Sequence, residues 1–127
     1  MEKLTFTMEN YLEAIFELSF DGKGVRVSDI AKRLGVTKAS TNSAMSTLAE
    51  KGLVINEPYK EFYLTAQGRT VAEATSKKHQ TLLSFFTNVL QIDPVTADLD
   101  ACAIEHVISA DSVHAMREFM GVPQEVR

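Results

Sequence analysis

The sequence is poor in cysteine, in long apolar runs and in the motifs of known catalytic sites. Its single cysteine, Cys102, cannot form a disulfide within the chain, which favours the reducing cytoplasm. No stretch approaches the roughly 18 apolar residues that span a bilayer, and the first residues lack the pattern of a signal peptide. These observations together predict a cytoplasmic protein without membrane contact. Because no phosphate-binding loop, nucleophile elbow or acid/base pair is evident, we do not expect an enzyme.

The chain also lacks an overall basic excess, since its net charge is −4. The charge is unevenly distributed, however: residues 1–78 carry +1, residues 79–127 carry −5, and the segment 23–60 alone carries +4. A local basic face can bind phosphates although the whole chain is acidic. An ordinary solvated surface is the alternative interpretation of the same charges.

Two short helices joined by a tight turn are predicted in this basic segment. Ser28 is a suitable N-cap with Asp29 in the first turn, and Gly35 suits the left-handed residue that ends a helix. Thr37 can then cap a second helix that runs to about Lys51. This arrangement is typical of a helix-turn-helix.

A hairpin and further helices complete the predicted fold. Two β-prone runs, 51–55 and 62–64, flank a polar segment that contains proline, which predicts the wing of a winged helix. Helices are expected at 7–20 before this motif and at 66–90, 94–108 and 112–120 after it, with Asp93-Pro94 as a strong helix start. The fold class is therefore mainly α, with a winged helix-turn-helix over residues 1–72 and a helical domain over residues 73–127.

The second helix of the pair is the predicted DNA-reading element, because an α-helix fits the major groove. The side chains placed to contact bases or phosphates at its start are Thr37, Lys38, Ala39, Ser40, Asn42 and Ser43. The side chains expected to contact phosphates elsewhere are Arg26, Lys32, Lys51 and Lys60. Use of the winged helix for protein contacts or packing is the alternative.

A cluster of metal-ligand side chains lies on the helix after Pro94. Cys102, Glu105 and His106 stand at i, i+3 and i+4, so they project from one helix face. A thiolate, a carboxylate and an imidazole together favour a divalent transition metal over calcium or magnesium. The candidates for the remaining ligands are Asn10, Glu13 and His79.

Plainer interpretations of these side chains stay open. A lone cysteine is commonly a small buried apolar residue, and a Glu-His pair on a helix commonly faces solvent. His79 follows two lysines and can be part of a solvated charged segment. A catalytic pair of Cys102 and His106 is a further alternative, although the sequence supplies neither an oxyanion site nor a substrate pocket.

Several segments together identify a family. They are Glu9–Ile15, Val27–Ala31 with Leu34, Leu48–Val54, Leu64-Thr65 with Gly68, Lys78-His79, Phe85-Phe86, and Ala101-Cys102 through Glu105-His106-Val107 to Ser109. In these segments the chain resembles the metal-dependent repressors of the diphtheria-toxin-repressor and manganese-transport-regulator family. The chain is similar to the short form, without the SH3-like domain of longer members.

The resemblance implies an N-terminal DNA-binding domain, a helical metal-binding and dimerisation domain, and a set of metal positions. Those positions are Asn10, Glu13, His79, Cys102, Glu105 and His106. Asn10 departs from the Met or Asp that is usual in the family, and the iron-type second site would have Glu and His where this chain has Leu83 and Asp98. A binuclear arrangement with Glu13, His79 and Glu105 is the alternative to that second site.

The resemblance therefore implies a homodimeric repressor of metal-uptake or metal-homeostasis genes that binds double-stranded operator DNA when one or two Fe²⁺ or Mn²⁺ ions are bound per subunit. We expect the metal to tie the first helix to the helix of Cys102 and His106. Two rivals remain: a winged-helix regulator that senses something else or nothing, and a metal-buffering or protein-interaction module with no role on DNA.

Overall fold

The computed structural model describes residues 4–19, 22–57 and 61–121. The chain divides into two compact units, which meet between Glu73 and Ala74. Lys60, one of the predicted phosphate contacts, lies outside the described residues. Among the helices in these ranges, none has the length and apolar character needed to cross a membrane.

The first unit is a helix-turn-helix followed by a hairpin. Its elements are α1 (Phe6–Leu18), β1 (Val25–Arg26), α2 (Val27–Leu34), α3 (Lys38–Glu50), β2 (Val54–Glu57), β3 (Glu61–Leu64) and the first part of α4 (Ala66–Ser84). The strands form one antiparallel sheet in the order β1–β3–β2, with Val25 opposite Phe62 and Val54 opposite Leu64. The prediction of a winged helix is confirmed.

Local chemistry sets the turn between α2 and α3. Gly35 adopts a φ of 68°, and its backbone N–H donates to the carbonyls of Ala31 and Lys32 at the end of α2. The side-chain oxygen of Thr37 accepts a hydrogen bond from the N–H of Ser40, which caps the start of α3. Both predicted roles are confirmed. The predicted cap at Ser28 is wrong, because α2 begins at Val27 and Arg26 occupies the N-cap position.

One apolar core joins the helices of the first unit to its sheet. Leu12 and Ile15 of α1, Ile30 of α2 and Leu48 of α3 have no exposed surface. They pack with Val54 and Phe62 of the sheet in a single cluster. Since the inner faces are filled in this way, the polar face at the start of α3 is left to solvent.

The second unit is helical and begins with the rest of α4. A π-helical segment, Phe85–Val89, continues α4, and α5 (Pro94–Ile104) and α6 (Ala110–Met120) follow. Asp93 caps α5 by accepting hydrogen bonds from the N–H groups of Val95 and Thr96, as predicted. The predicted end of α5 at 108 and start of α6 at 112 are corrected to 104 and 110, because Ser109 caps α6.

Candidate nucleic-acid interface and metal centre

The start of α3 presents a polar face to solvent. Thr41, Ala44, Met45 and Leu48 are buried on the opposite face, so the predicted DNA-contacting residues point outward. The exposed residues are Thr37, Lys38, Ala39, Ser40, Asn42 and Ser43. Lys51 at the end of α3 is also exposed. This face has short hydroxyl and amide groups, which can hydrogen-bond to base edges and phosphates.

A cleft with a volume of about 570 Å³ adjoins this face. The residues lining it are Arg26, Val27, Ser28, Lys38, Asn42, Asn56 and Phe62. Two of them are cations: Arg26, which the sequence predicted as a phosphate contact, and Lys38, which it predicted at the DNA-reading start of α3. None of the described lining residues is acidic. The cleft lies where α3 meets the sheet, so an anionic backbone beside α3 would find positive charge there.

In the second unit, α4 and α5 bring three of the predicted metal ligands together. Nδ1 of His79, on α4, lies 2.7 Å from Oε1 of Glu105, at the end of α5. The Sγ atom of Cys102, one turn earlier on α5, lies 3.8 Å from the same nitrogen. Lys78 donates a hydrogen bond of 2.9 Å to the carbonyl of Ile108, which holds the neighbouring part of α4 to the segment after α5.

The centre of this cluster is a buried carboxylate. Glu105 is 1% exposed and His106 is 6% exposed, whereas Cys102 is exposed. The Oε2 atom of Glu105 lies 3.5 Å from Nε2 of His106, so the two histidines lie beside different oxygens of one carboxylate. All four ligands predicted in this unit are thus neighbours.

A fifth side chain of the cluster, Asp98, was not among the predicted ligands. Its Oδ1 atom lies 2.9 Å from Nε2 of His79, and ligand atoms of His79, Asp98 and Cys102 lie within 4.8 Å of one another. Asp98 and Cys102 are one helical turn apart on α5. That spacing is the signal that could have identified Asp98.

The two remaining predicted ligands belong to the first unit. Asn10 and Glu13 lie on α1, three residues apart and both half-buried. Their side chains therefore share a face of that helix. Their role as ligands stays a prediction.

The donor set of the second unit suits a transition metal ion. Sulfur, imidazole nitrogen and carboxylate oxygen are all present, which Fe²⁺, Mn²⁺ and Zn²⁺ accept more readily than Mg²⁺ or Ca²⁺ does. A cation at this place would also match the charge of a carboxylate that is removed from water. The residues present therefore fit a bound divalent ion.

Comparison with known families covers almost the whole chain. Residues 3–62 match the iron-dependent repressor N-terminal DNA-binding domain. Residues 65–126 match the iron-dependent repressor metal-binding and dimerisation domain. The two matches follow the same order as the winged helix and the helical unit.

Relatives and solved structures agree with these matches. The transcriptional regulator MntR of Escherichia coli O6:H1 is 32% identical over 88% of this chain and 72% of its own length. The diphtheria toxin repressor of Corynebacterium diphtheriae is 30% identical over 86% of this chain and 48% of its own. A manganese-dependent transcriptional repressor in complex with manganese superposes with a TM-score of 0.81 at 27% identity, over 92% of this chain and 54% of that structure.

Fold and site together define a class: a winged-helix DNA-binding regulator with a metal-binding and dimerisation domain, not an enzyme. The chain belongs to the iron-dependent repressor family, and its relatives include transcriptional regulators named MntR. This confirms the resemblance, the mainly α fold class and the expectation of a divalent metal cofactor. The chain spans about half the length of the manganese-dependent repressor structure that it matches.

Proposed function

We propose that this chain represses genes of metal uptake or metal homeostasis by binding operator DNA as a homodimer when Fe²⁺ or Mn²⁺ is bound. The observation that carries the proposal is the convergence of His79 and Cys102 on the buried carboxylate of Glu105. This convergence lies in the unit that matches the metal-binding and dimerisation domain.

His79, Cys102, Glu105 and His106 are the proposed ligands in the second unit, with one or two ions bound per subunit. Asn10 and Glu13 are the further ligands that the family resemblance implies. A bound ion supplies positive charge to this site. Glu105 contributes charge from a buried position, while the histidines and the thiolate set the preference for a transition metal.

The DNA interface we propose is the exposed start of α3 together with the adjoining cleft. Asn42 and its neighbours at the start of α3 would contact base edges in the major groove. Arg26, Lys32, Lys51 and Lys60 would bind phosphates and so fix the register without reading sequence. Lys38, at the start of α3, would bind bases or phosphates. The cleft supports this assignment because it is lined by Lys38, the first residue of α3, and by Arg26.

We assign residues 1–72 to DNA binding and residues 73–127 to metal binding and dimerisation. A homodimer presents two copies of α3 related by twofold symmetry, so the operator should contain two symmetric half-sites. A regulator that uses a cysteine thiolate as a ligand and binds DNA is expected to work in the cytoplasm.

A DNA-binding titration against genomic fragments tests the proposal. It is run with Mn²⁺, with Fe²⁺ under anaerobic conditions, with each other first-row divalent ion, and with a chelator. We expect specific binding only with metal, and a gain of about 5- to 150-fold in affinity, as is typical of coupled sites. Unchanged affinity at saturating Mn²⁺ and Fe²⁺ would refute the proposal.

The same assay separates the rival functions. His106→Ala should abolish the metal response but leave weak, salt-dependent DNA binding. A regulator that senses something else would keep both full binding and its regulation in this variant. A metal-buffering or interaction module would show no salt-dependent DNA binding in either form.

A further inference from the structure

The side chain of His79 lies between two carboxylates that contact different ring nitrogens. Nδ1 is 2.7 Å from Oε1 of Glu105, and Nε2 is 2.9 Å from Oδ1 of Asp98. The two carboxylates differ in environment, because the side chain of Glu105 is fully buried and that of Asp98 is 55% exposed. The two nitrogens of His79 therefore face different surroundings.

Only one nitrogen of a histidine normally binds a given metal ion, and the hydrogen bond of the other nitrogen decides which one it is. On the Nδ1 side two further donor atoms are close, the carboxylate of Glu105 and the thiol of Cys102 at 3.8 Å. On the Nε2 side the described contact is the carboxylate of Asp98. Each ionised carboxylate can only accept a hydrogen bond, so Glu105 and Asp98 compete for the ring proton in the metal-free protein. A metal ion bound on the Nδ1 side would displace the proton there and leave Nε2–H to donate to Asp98.

We propose that Asp98 is a positioning residue: it accepts a hydrogen bond from Nε2–H of His79 and thereby leaves Nδ1 for the metal that Glu105 and Cys102 bind. The inference rests on the proposed ligand set. Asp98 itself does not bind the ion. Because its carboxylate also lies within 4.8 Å of the ligand atoms of His79 and Cys102, direct binding of the ion by Asp98 is the outcome that would overturn the proposal.

The first test determines which nitrogen of His79 binds metal. The ¹⁵N-labelled full-length chain is saturated with ¹¹³Cd²⁺, a diamagnetic probe that accepts sulfur, nitrogen and oxygen ligands. Long-range ¹H–¹⁵N spectra then identify the protonated ring nitrogen, with His79→Gln used for assignment. We expect a proton on Nε2 and cadmium on Nδ1. Cadmium on Nε2, or cadmium bound by Asp98, would overturn the proposal.

The second test separates positioning from a purely structural role. Asp98→Ala should lower Cd²⁺ affinity by about 10- to 100-fold, as for other residues that orient a ligand. The ¹¹³Cd chemical shift should still report one thiolate and the same number of ligands. Asp98→Asn should recover part of the affinity, because its amide oxygen can still accept the hydrogen bond.

Asp100→Ala is the matched control, since Asp100 is an exposed acid of the same charge two residues further along α5. This variant should leave the Cd²⁺ affinity unchanged. An equal loss of affinity in both variants would show that Asp98 acts only through its negative charge. If the cadmium ion in wild-type protein is coordinated by neither His79 nor Cys102, the proposed ligand set is wrong and this inference fails with it. If wild type binds through both residues but Asp98→Ala has no effect, only the inference fails.

Discussion

At the scale of single residues, Glu105 is the buried carboxylate on which the metal ligands of the second unit converge. Its carboxylate is 1% exposed and lies beside the rings of His79 and His106. Burying an ionised carboxylate costs several kcal/mol unless opposite charge or hydrogen bonds compensate for the lost water. A divalent cation would supply that charge, so metal binding and the stability of this unit should be linked through Glu105.

The variant Glu105→Gln keeps the shape of the side chain and removes its charge. We expect the metal-free variant to unfold at the same temperature as wild type or higher, because a buried charge is gone. At a Mn²⁺ concentration 100 times Kd, metal binding should stabilise wild type by about 2.7 kcal/mol. We expect the variant to lose this stabilisation. Thermal unfolding with Mn²⁺ and with a chelator measures both quantities.

Glu118→Gln is the control for this prediction, since Glu118 is an exposed carboxylate on α6 of the same unit. It should keep the full shift with Mn²⁺. A full shift retained in Glu105→Gln would mean that this carboxylate is not a ligand.

Local spacing alone predicted only part of the metal centre. Cys102, Glu105 and His106 share one helix face, so a regular helix was enough to group them. The partnership of Asp98 with His79 depends on how α4 packs against α5, across 19 residues of sequence. Position 98 also departed from the residue that the family resemblance implied, so the sequence argument did not select Asp98 as a ligand.

At the scale of elements, helix ends governed by their own residues were predicted well. Gly35, Thr37 and Asp93 all have the predicted roles, because each cap involves atoms within a few residues. The start of α2 was predicted wrongly, because Arg26 pairs with Glu61 in the sheet. This long-range contact fixes where the extended backbone ends and the helix begins. The π-helical segment after Ser84 was also missed, because its apolar residues continue the pattern of α4.

Charge reversal at the start of α3 tests the DNA interface. Lys38 is the first residue of α3, where an acidic side chain interacts favourably with the helix dipole, so Lys38→Glu should fold normally. We expect weaker binding to all DNA sequences and a salt dependence whose slope falls by about one unit or more. Fluorescence anisotropy at several salt concentrations measures both effects.

Lys77→Glu makes the same change of charge on α4, outside the first unit. The DNA affinity of this variant and the slope of its salt dependence should remain close to those of wild type. Equal losses in the two variants would show that net charge, rather than the start of α3, controls binding.

Close contact between α4 and Leu53, in the segment between α3 and β2, depends on Gly68. A Cβ atom at this position would lie 2.0 Å from the backbone oxygen of Leu53, which cannot move aside as a side chain could. Intrinsic helix propensity favours Gly68→Ala by about 1 kcal/mol, so only the clash can make this variant less stable. We expect a net loss of more than about 2 kcal/mol in urea unfolding.

Gln67→Ala, at an exposed position of the same helical turn, provides the comparison. It should change the free energy of unfolding by less than about 0.5 kcal/mol. A stabilised Gly68→Ala variant would contradict the close approach of α4 to Leu53.

At the scale of the whole molecule, the two parts of the chain differ in charge and in surface. Residues 79–127 carry a net charge of −5, which disfavours phosphate binding there and suits a cation site. The same part exposes large apolar side chains, namely Leu90, Val95, Leu99, Val107 and Phe119. Exposed apolar side chains of this size mark interaction surfaces, in agreement with the match to a dimerisation domain.

The proposed function requires that metal and operator DNA affect each other equally, because a coupling free energy between two binding sites is reciprocal. Mn²⁺ affinity, measured by titration with and without a saturating operator fragment, should rise about 5- to 150-fold with DNA. The same factor should describe the gain in DNA affinity when Mn²⁺ is added.

A scrambled fragment of equal length should give a smaller factor, since non-specific binding depends mainly on phosphate charge. In His106→Ala the factor should approach one. If the operator leaves Mn²⁺ affinity unchanged in wild type, metal binding and repression are separate properties of this protein.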